Sequence, residues 1–328
     1  LRALRLYAPY DLRLEEVSEP VLVDGWVLIR SLYVGVCGTD KAIYTGSYVL
    51  PRYPITLGHE VAGVVVDGPR DLIGCRVTCE INFPCCKCEM CRLGLYTHCP
   101  YRRTLGLTFD GGLADYFTAP LSSIHLIDDL NPILGVFVEP LAAVINAVKF
   151  ELITRPVKVA VIGSGNLAYL TTQVLMLMGL DPVVIARRDS PKVKYFEELN
   201  AEIVYVDEVE EYVEKRTSMG LGFNLTFEAT GSNEGLNLAV KITRPRGVVH
   251  VKSTPGGLAQ FNQTLAVVKE LKIICSRCGN FRDFEYAIKL LRSGLVKPVV
   301  TSILKLSDSS RIFERALNRC ELKVVVEI

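Results

Sequence analysis

The sequence lacks an excess of charge of either sign: 37 Lys and Arg stand against 36 Asp and Glu, a formal net charge of +1. That balance argues against a general nucleic-acid binder, which needs a broad basic face. It also lacks a long apolar run. The most apolar stretch, Leu134 to Val148, is broken by Glu139 and Pro140 and falls short of the roughly 18 residues of a membrane span. Leu1-Arg2-Ala3-Leu4-Arg5 has neither the apolar core nor the small-residue cleavage site of a secretory signal, so a cytoplasmic protein is expected. There is no internal repeat and no low-complexity segment. What is present is material for packed cores: 49% hydrophobic and 22% charged residues over 328 positions, a length that suggests two domains.

The cysteines are clustered. Seven of the eleven lie between Cys75 and Cys99, a poor layout for a disulfide scaffold in a chain of this size. In a reducing compartment, gathered thiols more often mean metal. Cys85, Cys88, Cys91 and Cys99 are separated by two, two and seven residues, and four thiolates on a short loop can surround one zinc ion. Cys86 offers a competing register. With four protein ligands such a site would be structural, having no position left for a substrate.

Residues 1 to about 130 read as short strands, with alternating stretches such as 27–30 and 61–66 punctuated by Gly, Pro and Asp. An apolar helical stretch from near Pro140 to about Phe150 then leads into a different rhythm. Apolar runs at 157–162, 182–186, 203–206, 225–228, 247–252 and 271–275 alternate with helical segments, starting with Leu167 to Met178. That alternation predicts a parallel sheet covered by helices on both faces. One more helix, Phe284 to Ser293, and a final apolar strand, Lys323 to Ile328, close the chain.

The first strand of the alternating region runs into Gly163-Ser164-Gly165-Asn166-Leu167-Ala168. Glycines at this strand–turn–helix junction let the backbone approach a pyrophosphate at a helix N-terminus, and alanine is tolerated in the third place. Gly163, Gly165, Asn166 and Leu167 are therefore candidate cofactor contacts. The second strand ends in Arg187-Arg188, where an NAD site usually carries a carboxylate for the ribose hydroxyls. Guanidinium groups there can hold a 2′-phosphate, which favours NADP over NAD. The alternative is an ordinary solvated helix start capped by Asp189.

Two short motifs complete the pattern: Cys37-Gly38-Thr39-Asp40 and Gly58-His59-Glu60. With the cysteine loop and the dinucleotide fingerprint downstream, the set resembles the zinc-containing medium-chain dehydrogenases, including alcohol, polyol, threonine and glucose dehydrogenases, over nearly the whole chain. The resemblance implies an α/β protein with a GroES-like, β-rich catalytic domain over 1–148 and 282–328. A doubly wound Rossmann domain would occupy 149–281. It also implies two zinc ions per chain. Cys37, His59, Glu60 and Glu139 would serve the catalytic zinc, with Glu60 and Glu139 acting directly or through water, and Cys85, Cys88, Cys91 and Cys99 the structural one. Asp40 would orient His59 from behind.

The implied chemistry is hydride transfer between a secondary alcohol, polyol or sugar hydroxyl and the nicotinamide. Zinc lowers the hydroxyl's pKa so that the alkoxide forms near neutral pH, and Thr39 relays the proton. Aldose and threonine oxidation are alternatives within the family. A non-catalytic protein that binds zinc and nucleotide is the alternative outside it. Phe137-Val138-Glu139-Pro140-Leu141 is similar to the polyol branch. Ala42 stands where several members continue the relay with histidine, leaving Lys41, Tyr44, Glu60 or water to take the proton on. Glu228-Ala229-Thr230-Gly231 and Ser253 match the strand ends beside the nicotinamide ribose, making Thr230 and Ser253 further cofactor contacts. His98 lies next to the structural cysteines, His125 and His250 are expected to be structural, and a homodimer or homotetramer is expected to join near Leu271 to Cys275.

Overall fold

The computed structural model describes residues 1–149 and 157–328, so Phe150, the expected end of the helix after Pro140, lies outside the described residues. The chain divides into two compact units, Leu1–Ala142 with Cys278–Ile328, and Ala143–Arg277. The divisions fall a few residues before positions 148 and 281, and the first lies inside the helix Val138–Lys149. Among the described residues no helix is long and apolar enough to cross a membrane.

The first unit is built on a seven-stranded sheet. Its order is Ile124–Leu126, Arg76–Cys79, Glu60–Asp67, Trp26–Gly35, Val324–Glu327 and Ser302–Lys305, and Tyr116–Pro120 also pairs with Trp26–Gly35. All these pairs are antiparallel except the last, between the two C-terminal strands. Val27, Ile29 and Val34 lie in a core that also takes Val61, Val65, Val77 and Phe117. The pairing of Val325 with Gly35, and of Gly35 with Glu60, carries the end of the chain to the strand that begins after His59. The helix Phe281–Arg292 starts at a capping box between Asn280 and Asp283. It buries Phe284, Ala287, Ile288 and Leu291, the spacing of one helical face. Fully burying each of the three larger side chains is worth about 1.5–3 kcal/mol.

The second unit is a six-stranded sheet, parallel throughout, in the order Glu202–Tyr205, Val183–Ala186, Val159–Ile162, Phe223–Glu228, Thr243–Val251, Lys272–Cys275. Numbered by sequence this is 3-2-1-4-5-6, the doubly wound order whose direction reverses between the first and fourth strands. Val159–Ile162 and Val183–Ala186 are buried along their whole length, as parallel strands covered on both faces must be. Thr243–Val251 begins four residues before the expected apolar run at Gly247, so the strand includes Arg244-Pro245-Arg246. A register shift between Phe223 and Leu225 accommodates that polar entry. Arg246 itself lies at a φ of 59°.

Candidate active site

Cys37 caps the short helix Gly38–Tyr44, which the sequence reading did not anticipate. Cys, Gly, Thr and Asp are weak helix formers. A reciprocal box compensates: the Cys37 N–H donates to Asp40 Oδ2 at 2.9 Å, and the Cys37 side chain accepts from the Asp40 backbone. Asp40 is fully buried, and its Oδ1 faces His59 Nδ1 at 3.4 Å. With Nδ1 turned to a carboxylate, Nε2 is the ring nitrogen left for a metal, an arrangement that fixes the tautomer. Burial pulls the His59 pKa down, but the Asp40 carboxylate and the Cys37 sulfur outweigh it and hold the imidazole well above its ordinary value. The structure thus brings Cys37, Asp40 and His59 together at one strand end, with Thr39 half-buried in the first helical turn.

Glu60 and Glu139 are both buried in the same unit. Glu60 lies against Lys323, a buried lysine that immediately precedes the last strand, Val324–Glu327, and that sequence reasoning missed. Burial lowers the Lys323 pKa, yet Glu60, Cys37 and Glu139 together hold it above the ordinary value. Burial and the charge on Lys323 push the Lys41 amine down. Tyr44 stacks on Phe313 at 4.6 Å and meets Tyr10 edge-on, so its ring is spent on packing helix Gly38–Tyr44.

The four-cysteine loop is compact. Cys88 Sγ lies 3.4 Å from Cys91 Sγ and 3.7 Å from Cys99 Sγ, and all four sulfurs fall within 4.8 Å of one another. A tetrahedron with bonds of about 2.3 Å has edges of about 3.8 Å, so these residues fit zinc. Cys86 is exposed, sits at a φ of 60° and turns its thiol to Pro84 O at 3.8 Å, which leaves the regular spacing to Cys85. Backbone donation from Lys87 draws the Cys85 thiol down to about 6, while burial and the neighbouring Cys88 and Cys99 thiols push Cys91 up to about 12. Among the described residues this is the one group of three or more thiol, imidazole or carboxylate donors already gathered so closely.

In the second unit Gly163 has a φ of 122°, and its N–H bonds Ile185 O at 2.9 Å. Gly165 caps helix Asn166–Leu177, and a Cβ placed there would meet nothing within 4 Å. Asn166 Oδ1 beside it is buried with no hydrogen-bond partner. Open space at a helix N-terminus, whose first backbone N–H groups have no acceptor within the helix, fits a pyrophosphate. Leu167 follows in the first turn of that helix.

The two arginines differ. Arg188 bonds Asp207 at 3.0 Å and Glu208 at 2.5 Å and lies over the Tyr205 ring at 4.3 Å. Arg187 is exposed, with Asp189 at 3.9 Å. Thr230 and Ser253 converge on Glu228, a buried carboxylate that takes Thr230 Oγ1 at 2.5 Å, Thr230 N at 2.6 Å, Gly231 N at 3.1 Å and the Ser253 hydroxyl. Glu228 opens the Glu-Ala-Thr-Gly run, so its signal was present, but the number of donors it gathers was not.

The remaining histidines are packed: His125 bonds Glu285 at 2.5 Å and stacks on Phe284, while His250 meets Ser276 Oγ at 2.8 Å and stacks on Phe227. His98 meets Thr97 Oγ1 at 3.1 Å. All eleven cysteines are free thiols.

Comparison with known proteins agrees with this geometry. Residues 23–129 match the alcohol dehydrogenase GroES-like domain, and residues 167–293 match the zinc-binding dehydrogenase domain. The chain is 28% identical to D-arabitol-phosphate dehydrogenase of Enterococcus avium, covering 95% of this chain and 92% of that one. It is also 28% identical to sorbitol dehydrogenase of Bombyx mori, covering 98% and 97%. The crystal structure of the alcohol dehydrogenase from Aeropyrum pernix superposes with a TM-score of 0.90 at 26% identity, covering all of both chains. The chain belongs to the zinc-containing medium-chain alcohol and polyol dehydrogenases, NAD(P)-dependent enzymes that act on small-molecule alcohols.

Proposed function

We propose that this protein oxidises a secondary hydroxyl of a polyol or sugar with NADP and reduces the corresponding ketone in the reverse direction. The observation that carries the reading is the Cys37–His59–Asp40 constellation, with His59 and Asp40 buried and Cys37 half-buried. It offers a thiol and an oriented imidazole, with Glu139 as a buried carboxylate in the same unit. A zinc ion held by Cys37, His59 and Glu139 would supply a Lewis acid that lowers the pKa of the substrate hydroxyl. Asp40 fixes the imidazole tautomer. Thr39, two residues from Cys37, receives the hydroxyl proton and passes it on, with Ala42 excluding a histidine as the next carrier. Gly165 and Asn166 receive the pyrophosphate through backbone N–H groups at the helix start, and Glu228 orients Thr230 and Ser253 toward the ribose.

NADP preference rests on Arg187, since Arg188 is already engaged by Asp207 and Glu208. The second zinc belongs to Cys85, Cys88, Cys91 and Cys99 and is structural. The strand Lys272–Cys275 ends the parallel sheet and exposes Ile273, near the exposed Val267 and Val268, which supports a homodimer or homotetramer joined there. Seven cysteines gathered between Cys75 and Cys99, a layout suited to metal rather than to disulfides, support a reducing, cytoplasmic location.

The test is nicotinamide reduction by the purified protein, with NADP and then NAD, across simple alcohols, polyols, polyol phosphates, aldoses and threonine. Turnover on polyols with NADP preferred is expected. Turnover on threonine or aldoses instead would move the substrate class. Zinc bound with no turnover on any of them would favour a non-catalytic binding protein.

A further inference from the structure

Glu228 ends its strand level with Ile162 on one side and Val251 on the other. Three parallel strands therefore release Gly163, Ala229-Thr230 and Lys252-Ser253 at one edge of the sheet, where the strand order reverses. These exits touch. A Cβ on Gly163 would lie 3.3 Å from Thr230 Cγ2, and one on Gly231 would lie 3.7 Å from Ser253 Cβ. Thr230 and Ser253 are thus continuous with the glycine turn.

Hydrogen-bond capacity separates their hydroxyls. An ionised carboxylate only accepts, and a hydroxyl has one proton and two lone pairs. Thr230 spends its proton on Glu228 Oε1 at 2.5 Å, accepts the Ser232 N–H at 3.1 Å and has Ser232 Oγ at 3.2 Å. Gly235 closes over it, because a Cβ there would overlap Thr230 Oγ1. Ser253 spends its proton on Glu228 Oε2, and its oxygen takes no donor among the described residues. Both of its lone pairs remain.

We infer that Glu228 is a positioning residue that makes Ser253 a pure acceptor for a ribose hydroxyl in the nicotinamide half of the cofactor, while Thr230 is a strut that holds Glu228. This rests on the dehydrogenase reading and narrows the ribose contact to one of the two hydroxyls. A ribose hydroxyl can donate to Ser253, whereas a phosphate dianion cannot, and the buried charge of Glu228 repels it. Arg187 follows the strand on the opposite flank of Val159–Ile162 and carries the opposite charge. The two flanks thereby orient the dinucleotide, with its 2′-phosphate held away from Ser253.

The test reads binding without turnover, by calorimetry on the full chain with NADH, ADP-ribose and ADP, which share one adenosine half. ADP-ribose keeps the second ribose and lacks the carboxamide, and ADP lacks both. Ser253→Ala and Glu228→Gln are each expected to weaken NADH and ADP-ribose by about 5- to 10-fold and to leave ADP unchanged. The double variant should lose little beyond Ser253→Ala, because Glu228 acts through Ser253. Thr230→Val should lower thermal stability without that selective loss. A loss for NADH alone would give Ser253 to the carboxamide and overturn the ribose assignment. Equal losses for all three ligands would make Glu228 structural only. A selective loss in Thr230→Val matching that in Ser253→Ala would overturn the division between the hydroxyls. A wild-type chain that binds none of the three would overturn the dehydrogenase reading itself and this inference with it.

Discussion

Asp40 sits behind His59, with Oδ1 3.4 Å from Nδ1, at a position fully closed to solvent. The same carboxylate accepts the Cys37 N–H through Oδ2. One side chain therefore orients both the thiol-bearing residue and the imidazole. Asp40→Asn keeps the shape but removes the charge that stabilises the ring's N–H. It should lower affinity for the catalytic zinc by about 10- to 100-fold, measured by chelator competition. Wild-type affinity in the variant would mean that the imidazole is oriented by its packing alone.

The adjacent arginines should separate in cofactor kinetics. A charged hydrogen bond to a 2′-phosphate is worth about 1.5–3 kcal/mol, so Arg187→Ala should raise KM for NADP by about 10- to 100-fold and leave NAD nearly unchanged. Arg188 is tied to Asp207 and Glu208 on an exposed surface, where such pairs contribute less than about 1 kcal/mol. Arg188→Ala should therefore change the two cofactors equally. An equal loss of NADP preference in both variants would restore the paired-arginine reading.

The register of the cysteine loop has a direct check. Cys85 belongs to the gathered sulfurs and Cys86 does not. Cys85→Ser should remove one zinc per chain and lower thermal stability, because the metal constrains the whole 85–99 loop. Cys86→Ser should keep the full zinc content. The opposite pattern would show that the loop shifts by one residue when metal binds.

Tyr96 links that loop to the helix Phe281–Arg292. Its hydroxyl donates to Glu80 at 2.6 Å and accepts the Phe281 N–H at 2.6 Å. Burial, followed by the Glu80 charge, pushes the phenol far above its ordinary pKa, so it stays protonated and able to donate. Tyr96→Phe leaves a buried carboxylate short of a donor and a helix N-terminus short of an acceptor. It should cost about 1–3 kcal/mol in denaturant unfolding without loss of zinc.

How much of this was legible in the sequence depends on the distance between partners. The Gly163–Ala168 turn and the four-cysteine spacing are local patterns, and a parallel sheet follows from alternating apolar runs. Even Glu228 announces itself as the first residue of Glu-Ala-Thr-Gly. Lys323 does not. A lysine at the edge of an apolar terminal strand reads as its solvent-facing member, and only the register through Gly35 turns it toward Glu60. Arg187 and Arg188 are likewise indistinguishable as letters. They separate because the strand Glu202–Tyr205 pairs beside Val183–Ala186 and brings Asp207 and Glu208 to one of them. Helix Gly38–Tyr44 was hidden because its stability lies in a cap built from Cys and Asp rather than in helix-forming residues.

The N-terminal strand carries a pH-dependent clamp whose sign can be worked out. Asp115 accepts the Arg2 backbone N–H at 2.6 Å and its guanidinium at 2.7 Å. Burial works to raise the Asp115 pKa, but these donors outweigh it and hold the carboxyl below its ordinary range. As pH falls, the unfolded chain therefore takes up the proton first, near the ordinary value of about 3.9. The clamp's contribution is present above that pH and disappears as pH falls through the lower folded value. Because the pair is partly exposed and screened, Arg2→Ala should cost less than about 1 kcal/mol at neutral pH. Urea midpoints of wild type and Arg2→Ala should differ at neutral pH and converge once the pH has fallen below the lowered folded-state value. A difference that persists unchanged in acid would show that Arg2 acts through packing rather than charge.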